Sequence, residues 1–229
     1  MKRLFWVSTL SVACLAALPM SAPAGPNAGA VLGVQGNVLG VDTAGEPWTA
    51  IAIPENCADQ VPQAMEDPQG IEWYILVVYQ DPGASDPGFN TLIFGVGDYN
   101  EADCYIALTG PVDIGSPDPL EVSSANWPNH LSGTAVSWSP NCLDGHVEPI
   151  YYLGVYAYAP AVIPLGDYYP NQSSAITSCG QGGGVEEDLF AAYTSIFCGG
   201  APFQPDDIVC PGTTAVEETT WGKIKTIYR

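Results

Sequence analysis

Short apolar segments recur along this chain, and turns rich in Pro, Gly, Asp and Asn separate them. The loop DPGASDPG at residues 81–88 is typical of this turn chemistry. In residues 73–79 both faces are apolar, which predicts a central strand that is covered on both sides. Strands are expected at residues 31–41, 48–53, 71–79, 91–96, 104–108, 133–138 and 149–159.

The helical signal is limited to one segment, residues 185–197. Val185, Leu189 and Tyr193 share one helical face there, and the acidic residues 186–188 favour the positive N-terminal end of a helix. The whole pattern therefore predicts a mostly all-β protein. We expect an antiparallel β-sandwich with Greek-key-like connections and one short helix near 185–197.

The N-terminus has the features of an export signal. Lys2 and Arg3 precede an apolar stretch at residues 4–18, and A-P-A at residues 22–24 provides a cleavage site. No other stretch reaches the roughly 18 apolar residues that a membrane span needs, so we expect no membrane insertion after cleavage. The expected organisation is a signal peptide at 1–24, a disulfide-bonded β-sandwich domain at 25–210, and a linker with a basic, aromatic tail at 211–229.

Six cysteines remain after the expected loss of Cys14 with the signal peptide. An even number in an exported chain indicates three disulfides. A zinc site is the alternative, but the chain has no C-x-x-C pair. Among the possible pairings Cys198 with Cys210 is favoured, because Gly199, Gly200 and Pro202 between them can turn the chain. The six residues are Cys57, Cys104, Cys142, Cys179, Cys198 and Cys210.

Charge restricts the partners that this chain can bind. Residues 25–222 contain no Lys or Arg, although all 25 Asp and Glu residues lie there. Such a segment has no Lys or Arg to meet a phosphate or an anionic lipid. We therefore expect neither nucleic-acid binding nor binding to a membrane surface.

Carboxylates are abundant, and calcium is the cofactor that they favour in an extracellular protein. Asp98, Asn100, Glu101 and Asp103 supply oxygens within one loop, although this loop lacks the glycine and the terminal Glu of an EF-hand. The alternative is a solvated turn that holds no ion. Calcium is thus a possible cofactor, and no other is expected.

The sequence contains no recognised catalytic motif. G-x-S-x-G, H-E-x-x-H, S-x-x-K and Gly-rich phosphate loops are all absent. His130 and His146 both lie in polar loops, where a solvent-facing histidine is the expected state. Paired carboxylates can hydrolyse glycosides, but with 25 acidic residues such pairs are expected by chance. No catalytic residue is predicted.

Tyrosines alternate along the predicted strand at residues 149–159. Tyr152, Tyr156 and Tyr158 share one face, opposite Leu153. A row of exposed tyrosines can stack on sugar rings, which would make this strand a ligand-stacking platform. An aromatic stripe on a strand is more often part of a core, so burial is the alternative.

The C-terminal tail combines the cations of the mature chain with aromatic and apolar residues. As a strand it would place Gly222, Ile224, Thr226 and Tyr228 on one side and its cations on the other. We expect recognition by an outer-surface apparatus or by the acidic face of a neighbouring copy, with a frayed terminus as the alternative. The residues expected to take part are Trp221, Lys223, Ile224, Lys225, Tyr228 and Arg229.

Four segments carry a resemblance to a group of secreted bacterial proteins. They are GPNAGAVLGV, NWPNHLSGTAVSWS, EPIYYLGVYAYAP and the ending TTWGKIKTIYR, in which a TWGxIKxxYR-like pattern recurs. The resemblance implies an exported β-rich domain with a recurring C-terminal tag. It supplies no catalytic residues.

Three classes of function follow from these observations. The favoured class is a secreted or cell-surface, non-catalytic structural or interaction protein that contacts a protein partner or itself through the tail. The first alternative is an extracellular carbohydrate-binding module, assisted by calcium, whose partner is a glycan. The second alternative is a two-carboxylate glycoside hydrolase.

Overall fold

A computed structural model describes residues 25–38, 47–84, 87–167, 173–180 and 186–212. The expected signal peptide and the tail residues 213–229 lie outside the described residues, so the predictions made for them are untested. The described chain contains thirteen strands and three short 3₁₀ turns, which loops connect. Within it, no helix combines the length and apolar character needed to cross a bilayer.

The strands are, in chain order, β1 (Val31–Gly36), β2 (Glu72–Tyr79), β3 (Phe89–Val96), β4 (Cys104–Pro111), β5 (Leu120–Ser123), β6 (Ser132–Ser137), β7 (Val147–Ala157), β8 (Ala161–Ile163), β9 (Leu165–Gly166), β10 (Ala175–Ser178), β11 (Glu187–Leu189), β12 (Ala192–Tyr193) and β13 (Ile196–Cys198). The 3₁₀ turns are Pro47–Ala50, Cys57–Asp59 and Pro205–Asp207. A strand was expected at residues 48–53, and the turn at Pro47–Ala50 shows that this prediction is wrong.

Two sheets form the body of the molecule. The first sheet has the order β12-β1-β2-β7-β4, and the second has the order β11-β10-β3-β6-β5, with β9 also paired to β3. Except for β12 against β1, the pairs within these sheets are antiparallel. The chain alternates between the sheets from β2 to β5. The predicted all-β class and the antiparallel sandwich are therefore confirmed.

The helix predicted near 185–197 is wrong. The described part of this segment forms β11, β12 and β13, which pair with three different strands, β10, β1 and β8. Asp188 was interpreted as helix N-terminal charge, but its carboxylate accepts the backbone N–H groups of Gly25 and Asn27. The backbone of this segment is thus hydrogen-bonded to distant strands. Pairing with these strands decides its structure, although its apolar residues have helical spacing.

The core lies between the inner faces of the two sheets. On β2, Tyr74, Leu76 and Val78 face this core, whereas Trp73 and Ile75 face outward into a second apolar cluster. All eight residues of β2 are buried. The prediction of a central strand covered on both sides is therefore confirmed.

Three disulfides are confirmed, but the favoured pairing of Cys198 with Cys210 is wrong. Cys198 ends β13 and bonds to Cys104, which begins β4. Cys210 lies on the outside of the first sheet and bonds to Cys57 there. Cys198 and Cys210 are close in sequence but do not bond to each other. Pairing of β13 with β8 fixes the position of Cys198, where its partner is Cys104. The third disulfide joins Cys142 to Cys179.

Candidate interaction surface

The outer face of the first sheet is covered by the chain itself. Ile51, Ile53 and Cys57 pack there against Trp73 and Ile75 of β2. The disulfide between Cys57 and Cys210 ties this cover in place. The phenol group of Tyr79 on β2 also donates a hydrogen bond to the carbonyl oxygen of Pro54 at 3.3 Å.

The outer face of the second sheet is exposed at its two ends, whereas its middle is buried or half-buried in the described structure. Direct cross-strand registers place Val122, Ala135, Ile93, Ala175 and Leu189 in one row, one residue from each of the five strands. Residues directly opposite in antiparallel pairs lie on the same face, so this apolar row crosses the whole sheet. At its two ends Val122 is 62% exposed and Leu189 is 59% exposed. We call these five residues the apolar row.

A second row lies beside the apolar row and is more polar. It runs from Leu120 through Ser137, Thr91 and Thr177 to Glu187. Leu120 is 66% exposed, and the side-chain hydroxyls of Thr91 and Ser137 lie 2.9 Å apart. The surface is therefore most apolar at its β5 end, where Leu120 and Val122 lie side by side.

Strand β5 is an edge of the second sheet and pairs only with β6 among the described residues. The side chains of β5 alternate between the two faces of the sheet, so Glu121 points to the opposite side from Leu120 and Val122. The Glu121 carboxylate accepts hydrogen bonds from the Tyr151 hydroxyl at 2.6 Å and the Thr134 hydroxyl at 2.8 Å. These donors are neutral, so no cation offsets the charge of Glu121 in this network.

Sequence reasoning missed this surface. Strand β5 has four residues, too few for a periodic signal, and Leu189 was assigned to a helix. The L-E-V-S alternation directly after Pro119 is the signal that could have found the edge strand.

The predicted stacking tyrosines lie at the far side of the first sheet. Tyr152 and Tyr156 of β7 share the outer face and are half-buried at the margin of the second apolar cluster. Tyr158 lies beyond the end of β7 and is 70% exposed. Tyr105 of β4, which sequence reasoning missed, lies directly opposite Tyr156 and is also exposed.

The predicted calcium residues form a hydrogen-bonded turn. The Asn100 side chain donates to the Asp103 carboxylate at 2.7 Å and accepts the Ala102 N–H, while Glu101 accepts the N–H of His130 at 2.9 Å. The exposed Asp98 carboxylate lies 3.4 Å from the His130 ring. In the described part of the chain, no group of three or more His, Cys, Asp or Glu side chains could hold a metal ion. Calcium binding stays a prediction.

Two carboxylates, Glu66 and Glu72, line an open groove at the start of β2. Both belong to one antiparallel bridge, which places them directly opposite each other. Burial raises the pKa of Glu72, although hydrogen bonds from Tyr74 and Gly199 act in the other direction. The Tyr74 hydroxyl lies 2.6 Å from Glu72 Oε2, and the Gly199 N–H donates to Oε1 at 3.0 Å. Glu72 thus joins β2 to the turn after β13.

Comparison with known proteins gives a distant similarity. No protein-family model and no curated protein match this sequence. A cohesin module from a family 33 glycoside hydrolase of Clostridium perfringens is similar in structure, with 10% sequence identity and a TM-score of 0.38. The match covers 71% of this chain and 98% of that module.

Proposed function

We propose that this protein is a secreted or cell-surface, non-catalytic interaction protein that assembles through the outer face and free edge of its second sheet. The apolar row ending at edge strand β5 is the observation that carries this proposal. Three disulfides support a location outside the cytoplasm, where thiols are oxidised.

The apolar row has the properties of a docking surface. Five strands at about 4.8 Å spacing give it a length of about 19 Å. Ala175 in the middle of the row is only 1% exposed, so the contiguous exposed part is the β5 end, where Leu120 and Val122 lie side by side. Exposed apolar patches of this kind mark interaction sites. Because Val122 lies on an edge strand, a bound segment can also pair with the main chain of β5.

The proposed occupant is the C-terminal segment at residues 221–229. As a strand, it has Ile224 and Tyr228 on one side and its cations on the other. Strand β5 has the complementary alternation, with Leu120 and Val122 on one side and Glu121 on the other. Antiparallel addition of the segment would extend the apolar side and place a lysine beside Glu121.

The donor of this strand is a second copy of the chain. The described residues end two positions after Cys210, which is tied to the outside of the first sheet. Strand β5 belongs to the second sheet. All cations of residues 25–229 lie in the last seven positions, so the tail of one copy is attracted to the acidic body of another.

Two matched valine substitutions test this assembly. Val122→Asp places a charge in the apolar row, whereas Val162→Asp places it at an exposed valine of β8, outside the row. We expect the unaltered protein and V162D to associate with rising concentration, measured by light scattering after size exclusion. We expect V122D, and a chain lacking residues 221–229, to remain monomeric. Association of V122D equal to that of V162D, or a monomeric unaltered protein at every concentration, contradicts the proposal.

A second candidate function is saccharide stacking on the first sheet. The cross-strand pair of Tyr105 and Tyr156 supports it, because the two tyrosines lie directly opposite each other on one face of the sheet. Tyr105→Ala should reduce the retardation of the protein in polysaccharide-containing native gels several-fold. Val162→Ala on β8, outside the apolar row, is the control and should leave the retardation unchanged. Equal mobility of both variants in every polysaccharide tested rejects this candidate.

A further inference from the structure

The carboxylate of Asp188 contacts the first residues that the structure describes. Its Oδ1 accepts the N–H of Gly25 at 2.9 Å, and its Oδ2 accepts the N–H of Asn27 at 3.0 Å. Asp188 is the middle residue of β11 and lies 163 residues after Gly25 in the chain. Each oxygen of this half-buried carboxylate thus contacts one main-chain nitrogen of the N-terminal segment.

Asn27 fixes the position of this segment. Its side chain is fully buried, and its Nδ2 donates to the Gly88 carbonyl oxygen at 3.2 Å. Its Oδ1 accepts hydrogen bonds from Gln80 Nε2 at 3.0 Å and from the Gly88 N–H at 3.2 Å. Gln80 directly follows β2 and Gly88 directly precedes β3. These bonds hold the segment at the ends of two strands and place the Gly25 nitrogen against Asp188.

The contact leaves no room for a side chain at residue 25. A Cβ atom built on Gly25 would clash with both oxygens of the Asp188 carboxylate. Residues 25–222 contain no Lys or Arg, so neither can offset the charge of Asp188 within the described structure. In the uncleaved chain, the two N–H groups that Asp188 accepts belong to neutral amides.

Cleavage after Ala24, which the A-P-A pattern predicts, changes one of these donors. Hydrolysis of the Ala24–Gly25 peptide bond gives a carboxylate on Ala24 and an amine on Gly25. An α-amino group has a pKa of about 7.7–8.0, so it is mostly protonated at pH 7. The nitrogen that lies against Asp188 would then carry a positive charge, and opposite charges at this distance attract each other.

We propose that removal of residues 1–24 creates an ion pair between the Gly25 ammonium group and Asp188, and that this pair holds β11 at the edge of the second sheet. Strand β11 has three residues and pairs only with β10 among the described residues. The pair therefore adds a contact that the uncleaved chain lacks. Because Leu189 follows Asp188, the same contact fixes the β11 end of the apolar row. The proposal is independent of assembly through β5.

The first measurement is the N-terminus of the exported protein. The full chain is expressed in an exporting host, and the intact mass of the secreted product should correspond to a chain that begins at Gly25. A first residue at any other position overturns the proposal, because its ammonium group would not lie against Asp188.

Acetylation of the α-amine then tests the ion pair, because it removes the charge and keeps one N–H donor. At mildly acidic pH the α-amine reacts in preference to the lysines. We expect the acetylated protein to unfold with an equilibrium constant about tenfold larger than that of the free amine, measured in denaturant at pH 7. In Asp188→Asn the same acetylation should change this constant by less than about twofold.

Glu187→Gln is the matched control. Glu187 is an exposed carboxylate on the same strand, and its side chain points to the opposite face from Asp188. Acetylation should destabilise E187Q as much as it destabilises the unaltered protein.

Equal stability of the free and acetylated forms of the unaltered protein overturns the proposal. An acetylation effect of the same size in D188N also overturns it. Thermal unfolding shows whether D188N is folded, and the two forms of the unaltered protein decide the question if it is not.

Discussion

The two sheets of this sandwich differ in what lies on their outer faces. On the first sheet, Trp73 and Ile75 are buried under residues of the chain itself, and the Cys57–Cys210 disulfide holds that cover. On the second sheet, Val122 and Leu189 are more than half exposed. The two outer faces also differ in composition, because the second sheet carries a polar row of Ser137, Thr91, Thr177 and Glu187 beside its apolar row.

This difference indicates how the chain uses its long-range disulfide. The cover at residues 51–57 contacts the first sheet through a few apolar side chains, and the Cys57–Cys210 bond, which spans 153 residues, ties it down. On the second sheet the exposed apolar side chains of the row lie at the two edge strands, Val122 on β5 and Leu189 on β11. We propose that a second copy covers the β5 end.

Removal of the Cys57–Cys210 disulfide should have the largest effect. Replacing both residues by alanine should lower the free energy of unfolding by about 5 kcal/mol, whereas removing Cys142–Cys179 should cost about 4 kcal/mol because its loop is shorter. Denaturant unfolding gives both values. Only the first variant should also bind a hydrophobic dye, since only it uncovers Trp73. Dye binding by neither variant would show that the cover holds without its disulfide.

Glu72 provides a smaller, pH-dependent test on the covered sheet. Because burial raises its pKa in the folded protein, the folded state retains the proton to higher pH than the unfolded state. The contribution of Glu72 to stability is therefore greatest below the ordinary glutamate pKa of about 4.3 and declines as the pH rises through the folded pKa.

Glu72→Gln should remove this decline, because glutamine resembles the protonated acid and can still accept the Gly199 N–H. Chemical unfolding between pH 4 and 7 should show a flatter profile for the variant. A residual slope is expected, since burial also raises the pKa of Glu148. An unchanged slope in E72Q would contradict the assignment of the raised pKa to Glu72.

The sequence predicts the parts of this fold that depend on local composition. Alternating and continuous apolar runs predicted the all-β class, and the two apolar faces of residues 73–79 predicted a doubly covered strand. The even cysteine count predicted three disulfides. Each of these follows from residue types within one segment or from a simple count.

The rest depends on contacts between distant segments. Leu189 and Tyr193 have helical spacing, yet they lie in β11 and β12 because β10 and β1 offer free backbone partners. Cys210 pairs across the fold with Cys57, which no local spacing indicates. The apolar row joins five separate strands and becomes visible only when their registers are known.

Hydrogen exchange at β5 tests the central claim most directly. The amide of Ser124 donates to β6, so by alternation the amides of Glu121 and Ser123 point to the free edge. These two amides should exchange rapidly in dilute protein and become protected at high concentration, as the tail of a second copy pairs with this edge. The protection should disappear in the chain lacking residues 221–229 and in V122D, but persist in V162D. Exchange at β5 that is independent of concentration, or protection that survives removal of the tail, would contradict the account.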